Sequence, residues 1–210
     1  MPQSAAAPPG SARDRLLAAA VDVIRTKGLH ATSVEDLCEA AGASKGAFFH
    51  HFPSKDALAV AAAAHWSAST GGMFAAAAYH RLADPVARVH GYLDLRAQLV
   101  RGPTEAFTCL VGTMAQEAFA THPDVRDACA ASILGHAATL EADLREALEL
   151  HAPHLTDEAP SLACHTQVVL QGAFVVAKAA DDPTIVLESI EHLRRYLDHL
   201  FSSAPAGAGG

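Results

Sequence analysis

Apolar positions recur at three- and four-residue spacing along almost the whole chain, and no segment shows a convincing two-residue alternation, so the pattern predicts an all-α protein. Leu17, Ala20, Val21 and Ile24 mark one face of a first helix that stops at Gly28. A second helix is expected to open at Thr32, with Glu35 three residues on as a capping box. Its core face is Val34, Leu37, Cys38 and Ala41, and Gly42 ends it. A short third helix begins at Ser44 and stops before Pro53. Ser54 then caps a long fourth helix reaching about residue 78. Asp84-Pro85 opens a fifth. A sixth and a seventh are expected over roughly 104–121 and 123–150, split at His122-Pro123. The last two, helices 8 and 9 of this set, span about 157–180 and 183–202, giving about nine helices in all. The ends, 1–11 and 203–210, lack bulky side chains and read as disordered tails.

Three short helices with a tight turn at Gly42-Ala43 have the proportions of a helix-turn-helix, whose last helix enters a major groove of DNA. The expected organisation is a helix-turn-helix DNA-binding domain over 12–56, then a helical effector-binding and dimerisation domain over 57–202. Lys45 and Lys55 both fall at the first position of a helix, where the helix dipole disfavours a cation. Two such placements point to an external anion, and DNA phosphate is the obvious one. Gly46, costly inside a helix by about 1 kcal/mol relative to alanine, would let backbone approach the sugar-phosphate rail. Phe49 and His50 face outward if Phe48 and Phe52 pack inward.

The run from Thr32 to Lys55, TSVEDLCEAAGASKGAFFHHFPSK, closely resembles the signature of the TetR family of bacterial transcriptional regulators. The resemblance covers residues 13–58 strongly and the remainder only in length and helix count. It implies a homodimeric, ligand-responsive repressor that binds an inverted-repeat double-stranded DNA operator. Thr32, Ser33, Ser44, Lys45, Gly46, Phe49, His50 and Lys55 are the expected DNA-binding residues. The family usually has tyrosine at position 49. Phe49 cannot donate that hydroxyl to phosphate, so stacking or thymine-methyl contact is expected instead.

Composition bears on this reading only through its distribution. The net charge of −8 disfavours nucleic acid at first sight. Residues 1–55, however, carry six Lys/Arg against five Asp/Glu, and the rest carry nine against eighteen. An acidic body with a near-neutral head can still dock through the head. Arg, His and Asp interrupt every apolar run, so no membrane span is expected. Cys38, Cys109, Cys129 and Cys164 are scattered, which suits reduced thiols in a cytoplasmic protein.

The segment from Thr108 to Glu117 resembles a helix pattern of some of these regulators, and places Thr113, Gln116 and Glu117 near the effector. Trp66, Cys109, Thr113, Gln116 and Cys129 are the expected pocket walls, favouring a small apolar organic effector with one or two polar groups. By the same resemblance, the effector tilts the alanine-rich fourth helix and moves the two heads out of groove register. No cofactor is expected. A metal- or thiol-responsive regulator is the alternative, since histidine and cysteine are plentiful in the body. Cys129 and His136 are seven residues apart on one helix, however, about 10.5 Å and too far for one ion. A helical-bundle enzyme is the remote alternative. Gly42-Ala43-Ser44-Lys45-Gly46 matches the G-x-S-x-G nucleophile elbow, but that motif needs a preceding strand, and a helix is expected there.

Dimerisation is expected through helices 8 and 9. Helix 9 repeats Val186, Ile190, Leu193, Leu197 and Leu200 as a seam of period 3.5. Helix 8 is apolar nearly all round from Val168 to Ala177, so one of its two faces calls for a partner.

Overall fold

A computed structural model describes residues 10–202. Eleven α-helices and two 3-10 turns make up the described residues, and no strand occurs among them. In chain order these are α1 (Ala12–Lys27), α2 (Val34–Ala41), α3 (Lys45–His51), α4 (Lys55–Ala75), α5 (Pro85–Gln98), α6 (Thr104–Phe107), α7 (Leu110–Ala118), α8 (Pro123–Ala138), α9 (Glu141–His151), α10 (Ala159–Ala180) and α11 (Thr184–Ser202). The two tails fall almost entirely outside the described residues; Ser11 lies inside and caps α1, its hydroxyl accepting the Asp14 N–H.

Three expectations about elements need correction. The capping box of α2 sits one residue later than the sequence suggested: Ser33 is the cap and Asp36, not Glu35, closes the box. Thr32 is instead buried, its hydroxyl donating to Gly28 O at 2.6 Å. The expected sixth helix is two: extended backbone at Thr108 (φ −77°, ψ 160°) separates α6 from α7. The expected seventh helix also divides. Thr139 donates its hydroxyl to His136 O at 2.7 Å, a local side-chain bond that competes with the helical ladder. Leu140 N then bonds back three residues to Ala137 O, so α9 restarts at Glu141.

The chain forms two compact units. The first contains α1–α3, α4 as far as Ser69, and the segment Leu110–Ser132 with α7 and most of α8. Leu16, Leu17, Ile24, Leu37, Phe48, Leu58 and Met114 are all sealed from solvent in it. Helix α1 is its spine, packing on α2, α3 and α7. Gly42 closes α2 in the left-handed region (φ 56°, ψ 43°), the conformation that a helix C-cap takes at least cost when it has no Cβ.

The second unit comprises Thr70–Cys109 and Ile133–Gly210. Its core joins α5, α9, α10 and α11 around Tyr92, Leu93, Leu144, Leu148, Leu170 and Phe174. Here the expected seam of helix 9 is corrected. Val186, Ile190, Leu193 and Leu197 of α11 are buried against the chain's own α5, α9 and α10, so the regular apolar stripe marks the intrachain core. The faces left open are different. On α10 they include Val168 (61% exposed), Val175, Val176 and Gly172; on α11 they include Leu187 and Tyr196. A second correction concerns membranes: Pro153–Ala180 is one segment long and apolar enough by composition to cross a bilayer. Its Gln167 is nevertheless tied into the polar core described below, as befits a core helix.

Candidate nucleic-acid interface

The short helix α3 starts where Ser44 caps it, its Oγ accepting the Ala47 N–H at 3.1 Å. Phe48 and Phe52 are buried, and Phe49 and His50 are left on the outside, Phe49 55% exposed. Phe49 stands edge-on to Phe48 with ring centroids 5.1 Å apart. That contact braces an exposed aromatic ring which the protein's own core does not need. Gly46 has an open face as well. A Cβ there would meet only Ser44 Oγ, at 3.7 Å, so internal packing does not require glycine at this position. Ser33 and Ser44 are exposed caps, placing two hydroxyls and two helix starts on the same small unit.

Neither lysine is without an internal partner. Lys45 pairs with Glu35 across the α2–α3 turn, and that ammonium holds the Glu35 carboxyl below the usual carboxylate range. Lys55 turns back over the α1–α2 turn, donating from Nζ to Leu29 O at 2.8 Å and to Thr32 O at 2.9 Å, with His30 O at 3.5 Å. The inference from helix position to an external anion therefore loses its premise: carbonyls of the turn solvate the Lys55 charge that the helix dipole disfavours. Nearby, Lys27 meets Asp36 at 2.8 Å and, with the Ser33 N–H and hydroxyl, depresses that carboxyl strongly. Sequence spacing could not reveal the Lys55 clamp, because donor and acceptors lie more than twenty residues apart.

The expected effector contacts have mixed surroundings. Trp66, Thr113, Gln116 and Cys129 belong to the first unit and Cys109 to the second. Trp66 lies under Arg25, whose guanidinium carbon is 5.0 Å from the ring centre. Gln116 is exposed and returns its amide to Gly112 O at 3.1 Å. Thr113 and Cys109 are half-buried, and Cys129 is sealed in the core. Glu117, grouped with Thr113 and Gln116 by the sequence, faces the α1–α2 turn instead: its carboxylate accepts the His30 N–H at 2.6 Å.

A polar cluster in the second unit was not anticipated. The Tyr92 hydroxyl, almost fully buried, accepts from Arg96 Nε and from Gln167 Nε2, each at 2.8 Å, and lies 3.2 Å from His136 Nε2. With two donors already on the oxygen, the phenol proton is the one to share with His136. The ring is then neutral, with its proton on Nδ1. Burial and the nearby Arg96 charge push the His136 pKa down to about 4. Only the i, i+4 pair Tyr92/Arg96 was legible in sequence; Gln167 and His136 arrive from other helices. Because the unfolded imidazole binds a proton more readily than the folded one, stability should fall as pH drops from about 6.5 toward 4. The slope should be at most about 1.4 kcal/mol per pH unit. Urea melts of wild type and His136→Gln across this window should show the steeper slope in the wild type, the difference being the His136 contribution.

Among the described residues, no three of His, Cys, Asp and Glu gather in a way that could hold a metal ion. Ser44 of the nucleophile-elbow lookalike lies between two helices and caps the second.

A three-helix head that buries one face of a short third helix and presents the other defines a helix-turn-helix DNA-binding protein. The family model described as bacterial regulatory proteins, tetR family, matches residues 16–62. A second, described as transcriptional regulator LmrA/YxaF-like, C-terminal domain, matches residues 85–192. The chain belongs to the TetR family of bacterial transcriptional regulators, and is a DNA-binding regulator of transcription.

Among curated proteins, the HTH-type transcriptional repressor KstR2 of Mycolicibacterium smegmatis is 42% identical over 50 residues, 24% of each chain. The match thus spans about a quarter of that relative's length. The regulatory protein TetR from Rhodobacter sphaeroides has the same fold at 23% identity, with a TM-score of 0.77 over 88% of this chain and 98% of that one. A cysteine mutant of the TetR family regulator CifR, complexed with 26-bp double-strand operator DNA, superposes at a TM-score of 0.72 and 24% identity, over 90% of this chain and 97% of that one.

Proposed function

We propose that this protein is a cytoplasmic repressor whose homodimer binds an inverted-repeat DNA operator and is released by a small, largely apolar organic effector. The carrying observation is α3, which keeps Phe48 and Phe52 in the core while presenting Phe49, His50 and an open Gly46. Phe49 and His50 are the base-reading pair: the ring packs on thymine methyls and the imidazole meets a base edge. Ser33, Ser44 and Lys45 contact phosphate, Lys45 exchanging its Glu35 partner for the backbone. Gly46 admits the sugar-phosphate rail. Thr32 and Lys55 serve DNA binding by holding the turn before α2. Repression is supported by the relative KstR2, a transcriptional repressor, and operator binding by the CifR complex.

The dimer is proposed through α10 and α11, using Val168, Gly172, Val175, Val176, Leu187 and Tyr196 rather than the buried stripe of α11. Gly172 and Ala179, small, exposed and one turn to either side of the Val175–Val176 pair, suit close helix contact. For the effector, Trp66, Thr113 and Gln116 of the first unit are proposed contacts because each retains some exposure. Cys129 would take part only if the core opened to the ligand. The Tyr92–Arg96–His136–Gln167 cluster supplies the second unit with hydrogen-bonding groups suited to a polar function on an apolar body. An effector acts only by binding the DNA-free state more tightly, so operator and effector weaken each other by one common factor.

Selection from random duplexes tests the core of this reading. It should return an inverted repeat with half-sites about 34 Å apart or somewhat more, bound with a steep salt dependence. On the selected site, His50→Ala should cost about 1–3 kcal/mol and change the preferred base at one position per half-site. Recovery of no inverted repeat would reject the operator model. Equal losses on selected and random DNA would demote His50 to a phosphate contact.

A further inference from the structure

In the first unit, the turn between α1 and α2 is held from two sides. From one side come Lys55 on its carbonyls and the Thr32 hydroxyl on Gly28 O. From the other comes the end of α7. The Glu117 carboxylate accepts the His30 backbone N–H at 2.6 Å, and the Glu117 carbonyl lies 3.1 Å from His30 Nε2. Gly28 makes room for this carboxylate: with φ at +84°, an added Cβ would stand 2.3 Å from Glu117 Oε1. The following corner adds His122, whose ring is 5.6 Å from that of His30 and whose Nε2 is 3.6 Å from Asp56 at the start of α4. One carboxylate on a helix outside the helix-turn-helix therefore fixes the backbone three residues before the Ser33 cap of α2.

We propose that Glu117 is the positioning residue of the DNA-binding head: its carboxylate sets the 28–32 turn, and through that turn α7 and the helix-turn-helix report each other's position. The inference rests on the DNA-binding reading above and needs no knowledge of the effector. A missing acceptor at 117 leaves the His30 N–H to water and frees the turn that aims α2. Because the coupling is reciprocal, DNA bound at α3 must alter the dynamics of α7 even though α7 carries no proposed DNA contact.

The test is hydrogen–deuterium exchange of the full-length protein, free and bound to its selected duplex, with affinities measured alongside. In wild type, the duplex should slow exchange in residues 28–32 and also in α7. Glu117→Ala should keep the slowing in α2 and α3 and lose it in α7. It should bind the selected duplex about tenfold more weakly, the scale of one charge-assisted hydrogen bond, with random-DNA affinity unchanged. Gly28→Ala, which displaces the carboxylate without removing it, should behave alike. Glu117→Gln, which keeps an acceptor oxygen, should stay within about threefold of wild type and shows that loss in the alanine variant is not simple misfolding. A wild-type protein whose α7 exchange ignores bound DNA overturns the proposal. So does Glu117→Ala with undiminished affinity and α7 still protected. Absence of any duplex bound by the wild type would overturn the DNA-binding reading, and the Glu117 role with it.

Discussion

Leu193→Glu should yield an unfolded or aggregated chain, not a folded monomer. Leu193 is 2% exposed and sits with Val186, Ile190 and Leu197 on the face of α11 that packs into the second unit's own core. A carboxylate there has no basic partner among the core residues, and must be buried charged or bound to a proton. Either outcome costs about 4 kcal/mol or more, a large part of the stability of an ordinary domain. The paired substitution Val175→Glu and Val176→Glu should do the opposite. Both side chains are exposed on α10, so each carboxylate stays hydrated and the subunit folds, while two like-charged faces no longer associate. Circular-dichroism melting together with sedimentation separates the cases. A Leu193→Glu protein that melts normally and sediments as a monomer would show that α11 buries its regular stripe between subunits. A paired α10 variant that remains dimeric would move the interface elsewhere.

Lys55→Met should destabilise the head before it changes anything at the DNA backbone. The ammonium donates to Leu29 O and Thr32 O at 2.8 and 2.9 Å, and it is half-buried where it does so. Methionine preserves the stem's packing but leaves these carbonyls short of a donor. Hydrogen bonds from a charged group are each worth about 1.5–3 kcal/mol, and the pair shares one partly hydrated cation, so a loss of about 2–3 kcal/mol overall is expected. In a chain of this size that lowers Tm by roughly 4–12 °C. Weaker DNA binding follows from a loosened turn, with the salt dependence essentially unchanged because no phosphate contact is lost. An unaltered Tm with a flatter salt slope on both selected and random duplexes would place the ammonium on phosphate after all.

Lys55 and Leu193 illustrate what a linear pattern can mislead about. At Lys55, a helix-first cation is a sound signal of charge out of place, but the compensating oxygens come from a turn more than twenty residues earlier. At Leu193, the period-3.5 stripe announces that one face of α11 is buried, yet periodicity is blind to whether the burying surface belongs to the same chain. Capping errors are of a different kind. Thr32 and Ser33 are both able caps, each with an acid three residues on, and the choice fell to Ser33 because Thr32 satisfies Gly28 O instead.

The sequence by itself determined the helical class, the tight Gly42 turn, the outward pair Phe49 and His50, and the TetR-type head. All of these depend on interactions within a few residues: helical periodicity, local caps and a left-handed C-cap glycine. Only the tertiary structure decided the turning of Glu117 onto the His30 N–H, the Lys55 clamp and the meeting of Tyr92 with His136 and Gln167. Those partners are separated by between 23 and 87 residues, and a hydrogen bond at such separation forms only after packing has brought the elements together. Local free energies set which segments are helices; the burial of their apolar faces set which polar groups would meet.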